Sequence, residues 1–184
     1  FEVMSGKTKE VEYNINFDAR QARKVFMEAQ AIKSYGGKVF WIDADVVTHS
    51  PVPKSFLDFV LPDNKFCCFL GRDWHHTESG FIGFNANHPG CKEFMTAYKK
   101  VYLDGVIFTR PGWHDCWGFD VTREWCNKND DFVDLAKGGP KSMHPFVNSI
   151  LGKYMDHLKG ERKGGKTGKD ELLIPRPEPY WNEL

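Results

Sequence analysis

Three apolar residues, Phe40, Trp41 and Ile42, run straight into two carboxylates, Asp43 and Asp45, with only Ala44 between them. Alternate residues of an extended chain point to the same side, so the two acids can converge on one point. Beside a buried strand they need something to offset their desolvation and mutual repulsion. A divalent cation does both, because hard cations prefer oxygen ligands. The plain alternative is a solvated turn that carries two acids.

A second pattern lies far along the chain, where His157, Gly160 and Lys163 are spaced as H-x-x-G-x-x-K. An imidazole nitrogen can complete an oxygen-rich site and favours manganese-like ions over calcium. A glycine lets backbone approach a diphosphate closely, and a lysine can neutralise one. The alternative here is a surface histidine in a basic tail. The pair His75-His76 is declined as a metal site, because adjacent side chains diverge.

The elements that must position these residues follow from periodicity. Residues 16–37 read as a helix capped by Asp18 and ended by Gly36 and Gly37. Its apolar face is Ala22, Val25, Phe26, Ala29 and Ile32, with Arg20 and Lys24 opposite. Residues 38–42 then read as a strand buried on both faces, as in a parallel sheet. Asp43 and Asp45 would sit at its carboxyl end, where open α/β sheets bind ligands. Residues 52–62 suggest a short helix, 66–70 and 81–85 strands, and 71–80 a polar loop between them. A helix over 88–105 places Pro89 in its first turn, with Phe94, Tyr98, Val101 and Tyr102 on one face. Another begins after Asp115, and 132–136 suggests a strand. The chain is expected to be extended near Tyr154 to His157, then basic and Gly-rich over 160–171, then Pro-punctuated.

Length and composition suit one packed α/β domain: 184 residues, 41% hydrophobic and 15% aromatic. A formal net charge of zero gives no global field for nucleic acid or membranes. No apolar run approaches the ~20 residues that span a bilayer. Five irregularly spaced cysteines form neither a disulfide framework nor a zinc pattern, and read as reduced thiols of a cytoplasmic protein. The chain opens at Phe1, which suggests a fragment or a trimmed chain.

The combination of D-x-D after an apolar strand with a distal H-x-x-G-x-x-K resembles the glycosyltransferases of the GT-A fold. It is most similar to the retaining family 8, which includes glycogenin and lipooligosaccharide galactosyltransferases. It is similar as well to glycosyltransferase-like proteins of marine phages, for which the cytoplasm would be the host's. The resemblance implies a mixed, largely parallel sheet flanked by helices, with a loop-rich C-terminal part. Residues 1–163 would form the domain and 164–184 a basic, Pro-rich tail. Only 42 residues precede Asp43, so the expectation is that the N-terminal nucleotide-binding strands are lacking or that the donor is held differently.

What the resemblance implies for residues is specific. Asp43, Asp45 and His157 would hold the cation, manganese ahead of magnesium, and Asp43 would also approach the ribose. Gly160 and Lys163 would contact the diphosphate, although the family's K-P-W reads KGG here. A basic residue on the preceding helix, one of Arg20, Arg23 and Lys24, would lie near the sugar nucleotide. Glu78, Ser79 and Gly80 match a strand lining the donor-sugar pocket, with Glu78 where asparagine is usual. Asp115 and Cys116 match an Asp-Gln-Asp-like segment below the sugar's reactive face, Cys116 standing for glutamine; Asp115 would be the catalytic acid that positions the acceptor or stabilises positive charge at the anomeric carbon, and is equally readable as a helix cap. Trp74, Trp113 and Trp117 could stack on sugar rings or simply pack.

The activity implied is transfer of a sugar from a UDP- or GDP-sugar to a glycan, lipid or protein hydroxyl, in the retaining manner. An inverting enzyme would instead use Asp115 or Glu78 as general base. The rival readings are a non-catalytic nucleotide- or carbohydrate-binding module and a metal-dependent phosphohydrolase.

Overall fold

The computed structural model describes residues 15–72, 75–109, 114–126, 129–137, 144–146 and 148–157. Helix α1 (Ile15–Tyr35) leads into β1 (Lys38–Ile42), β2 (Val46–Thr48), α2 (Lys54–Val60), β3 (Cys67–Leu70) and β4 (Glu78–Asn85). Then come α3 (Gly90–Leu103), α4 (Asp115–Cys126), β5 (Phe132–Asp134) and β6 (Met155–His157). The protein is α/β, with a mixed four-stranded sheet in the order β1-β4-β3-β5 flanked by helices. A separate two-stranded sheet joins β2 to β6.

The sheet is not largely parallel. β1 with β4 and β4 with β3 are antiparallel, and only β3 with β5 is parallel. The connection between β3 and β4, residues 71–77, is too short for a parallel crossover, which needs a dozen residues or more. Nor is β1 buried on both faces. It pairs with β4 alone among the described residues, its first four residues are half-buried, and Ile42 is exposed. The strands covered on both sides are β3 and β4. Cys67 and Phe69 face a core with Ile82, Phe84, Phe94, Tyr98 and Phe119, beneath α1, α3 and α4. Cys68 and Leu70 face the opposite core, with Phe56, Phe81, Phe146 and Met155. This period-two division is what a doubly covered strand requires. Gly83 fits it, since a Cβ there would lie 2.6 Å from the Cys68 sulfur and 2.7 Å from the Phe40 ring.

Two local expectations change. Asp18 lies inside α1 rather than at its start. β4 begins at Glu78, so Glu78, Ser79 and Gly80 belong to the strand and not to the loop before it. The end of α1 is as the glycines suggested, with Gly36 and Gly37 both at φ 65°, the left-handed region that stops a helix.

Candidate metal centre

The backbone builds the site from the edge of the sheet. Where β1 stops, the Asp43 N–H donates to the Gly80 carbonyl at 3.0 Å, which prolongs the pairing with β4. The chain then turns, the Val46 N–H donating to the Asp43 carbonyl at 3.0 Å, and leaves as β2. β6 pairs with β2 so that Val46 faces His157. That register sets the His157 ring beside Asp45, its Nε2 2.8 Å from Asp45 Oδ1. Ligand atoms of Asp43, Asp45 and His157 all lie within 4.8 Å of one another. The structure therefore gathers the three residues that the resemblance implied as ligands, from two distant parts of the chain.

The donor set fits a divalent cation. Two carboxylates and a neutral imidazole suit a borderline-hard ion of the manganese kind. The side chains of Asp43 and Asp45 remain 29% and 40% exposed, so the group opens to solvent while His157 is wholly buried.

Asp43 is held before any cation arrives. Its Oδ1 accepts from Trp41 Nε1 at 2.6 Å and from Lys24 Nζ at 3.1 Å. Lys24 also pairs with Asp115 Oδ2 at 2.9 Å and donates to the Ser79 carbonyl. Burial alone would lower the lysine pKa, but Asp115, Glu28 and Asp43 together hold it above its ordinary value. Among the described side chains Lys24 is thus the basic residue of α1 that reaches the site, and it is buried rather than on the solvent face. The reason is local charge balance, since two carboxylates offset the desolvation of one ammonium. Arg23 is exposed, and the Arg20 side chain lies outside the described residues.

Asp115 opens α4 with its carboxylate turned to Lys24, while its carbonyl accepts from the Tyr98 hydroxyl at 3.1 Å. The Cys116 thiol is pushed up to about 12, by burial first and then by Asp115, so it stays protonated. Trp117 stacks on His76 with ring centroids 3.6 Å apart. Gly160, Lys163, Trp74 and Trp113 lie outside the described residues.

Glu78 and Gly80 have roles other than those expected of them, and His144 and Glu28 were not foreseen. Glu78 is buried, its Oε1 3.1 Å from His157 Nδ1 and its Oε2 3.4 Å from His144 Nε2. The space that Gly80 leaves is filled by the His157 ring, which a Cβ there would overlap, so it is not left open for a sugar. Glu28, one helical turn beyond Lys24, is buried with no hydrogen-bond partner for either oxygen among the described residues. Burial raises its pKa to about 8, against the pull of Lys24. The i, i+4 spacing of Lys24 and Glu28 on a helix was the one signal for it. Against this geometry the comparisons are silent: no family model, no curated protein and no solved structure matches the chain.

Proposed function

We propose that the chain transfers a sugar from a nucleoside-diphosphate donor to an acceptor hydroxyl with a divalent cation, in the retaining manner. The observation that supports this is the convergence of Asp43, Asp45 and His157 within 4.8 Å. Those three residues would hold the cation. When bound, it would neutralise the diphosphate and make it a better leaving group. The chain's own residues do the rest. Trp41 and Lys24 fix the orientation of Asp43. Asp115 is turned to Lys24 and buried, so it is a positioning residue that holds the ammonium in place. No strong protein base is needed in this chemistry, because the departing phosphate oxygen can take the acceptor proton on the same face. Asp45, the most exposed member, borders the side from which a diphosphate would approach.

The test is a thermal-shift and calorimetric screen of UDP, GDP and their sugars, with and without manganese. Stabilisation by one diphosphate that requires manganese, and that is lost in Asp45→Asn and His157→Gln, is the expected result. Hydrolysis of phosphodiesters without any sugar nucleotide would assign the site to a phosphohydrolase. Diphosphate binding with no sugar transfer to any hydroxyl acceptor would assign it to a binding module.

A further inference from the structure

The His157 ring is held between two carboxylates, Asp45 Oδ1 at 2.8 Å from Nε2 and Glu78 Oε1 at 3.1 Å from Nδ1. An imidazole that coordinates a cation through one nitrogen must carry its proton on the other. The cation group is on the Nε2 side, so the proton belongs on Nδ1, where Glu78 Oε1 can accept it.

Glu78 is itself held in place. Its Oε1 also accepts from the Gly80 N–H at 3.2 Å. Its Oε2 faces Arg72 Nη1 at 3.7 Å and His144 Nε2 at 3.4 Å. Arg72 is anchored in turn by the carbonyls of His76 and Thr77. The His144 tautomer follows from its other nitrogen. Nδ1 accepts from the Phe146 N–H at 3.3 Å, so Nε2 carries the hydrogen; it lies 3.4 Å from Glu78 Oε2 without making a hydrogen bond to it. This decides between two readings of Glu78, His144 and His157, whose ligand atoms also lie within 4.8 Å of one another. As a second cation position, the group would need a lone pair on His144 Nε2, which costs the bond from Phe146. As a brace, Glu78 already bonds His157 and the Gly80 N–H, and the bond from Phe146 to His144 is kept. The glycine at 80 is part of the same device, because only a residue without a Cβ lets the ring lie against β4.

We propose that Glu78 is the positioning residue of the metal centre. It fixes the orientation and tautomer of His157 so that Nε2 presents its lone pair beside Asp43 and Asp45, and the Gly80 N–H and the Arg72 guanidinium hold Glu78 to that task. The proposal rests on the cation-binding part of the proposed function and is independent of the substrate.

The experiment uses the whole chain and metal ions alone. Calorimetry with manganese should give one ion per chain, and Glu78→Gln should weaken its affinity by about 10- to 100-fold, the usual effect of losing such a partner. Glu78→Asp should recover part of that loss. Cadmium is diamagnetic, so nitrogen NMR of the cadmium-loaded wild type should show His157 bound through Nε2, with Nδ1 still protonated and His144 not bound. This last readout needs no variant and so survives a failure of Glu78→Gln to fold. Two ions per chain, cadmium on His157 Nδ1 or His144, or unchanged manganese affinity in a folded Glu78→Gln would overturn the proposal. A wild type that binds neither ion would remove the cation reading as well, and that result is distinct from a site that binds but does not depend on Glu78.

Discussion

Lys24 carries the local charge balance of the site, as one buried ammonium between Asp43 and Asp115. Removing one partner of a buried ion pair leaves the other charge uncompensated, at a cost of about 3–5 kcal/mol. Lys24→Met should therefore lower unfolding stability by roughly that amount in urea titrations. A loss within the scatter of surface substitutions would mean that the pairs are not formed in solution. Glu28 makes a different prediction, because its folded pKa is raised to about 8 while the unfolded value is that of an ordinary glutamate. Between those values the unfolded chain is ionised and the folded one keeps its proton. Unfolding then releases a proton, and stability falls as pH rises through that window. Above the folded pKa the loss is complete, on the order of a few kcal/mol. Glu28→Gln cannot ionise, so its stability should be flatter than wild type from pH 5 to 8 and should overtake it toward the alkaline end. Parallel stability curves for the two proteins would show that Glu28 is ionised in the folded state.

At the scale of elements, β4 ties the sheet to the metal group through three residues that carry little β-propensity, Glu78, Ser79 and Gly80. Gly80→Ala would force the His157 ring off the strand. It should weaken manganese binding by at least tenfold and destabilise the fold by about 1–3 kcal/mol, the usual cost of overpacking. Gly36→Ala is the control, since it strains a left-handed residue whose added Cβ would meet nothing within 4 Å beyond its chain neighbours; it should cost stability without changing metal affinity. Equal metal affinity in Gly80→Ala and wild type would show that the ring has room to spare. The same strand shows why some of the architecture was legible in the residues and some was not. Helix α3 and the extended stretch at Met155–His157 follow local periodicity and composition, and the structure has both. The polar start of β4 has no local signal, because its pairing is set by β1 and β3. Strand order and direction are likewise absent from any local window, which is why β1 read as a buried parallel strand and is an antiparallel edge. At the site, spacing made Asp43 and Asp45 a candidate pair, and it was the resemblance that joined His157 to them as one ligand set. Lys24 could not be chosen over Arg20 and Arg23, nor seen as buried, because the acids that allow its burial lie at positions 43 and 115.

Across the whole molecule, the candidate centre joins segments that a denatured chain cannot bring together, since Asp45 and His157 are 112 residues apart. A ligand that binds only the folded form stabilises it by mass action, about 2.7 kcal/mol at one hundred times its dissociation constant. Manganese should accordingly raise the melting temperature of the wild type, and a chelator should reverse the effect. Asp45→Asn separates this from an ordinary structural role. Asp45 is substantially exposed, and its pairing with His157 is an ion pair only when the ring is charged. Such partly solvated pairs contribute about 0–1 kcal/mol, so the metal-free variant should melt close to the metal-free wild type. With manganese the two should part, because the variant has lost an anionic ligand and with it most of the shift. If Asp45→Asn instead lowered the melting temperature equally with and without manganese, Asp45 would serve only to hold β6 against β2. The cation would then have to be sought elsewhere, or not at all.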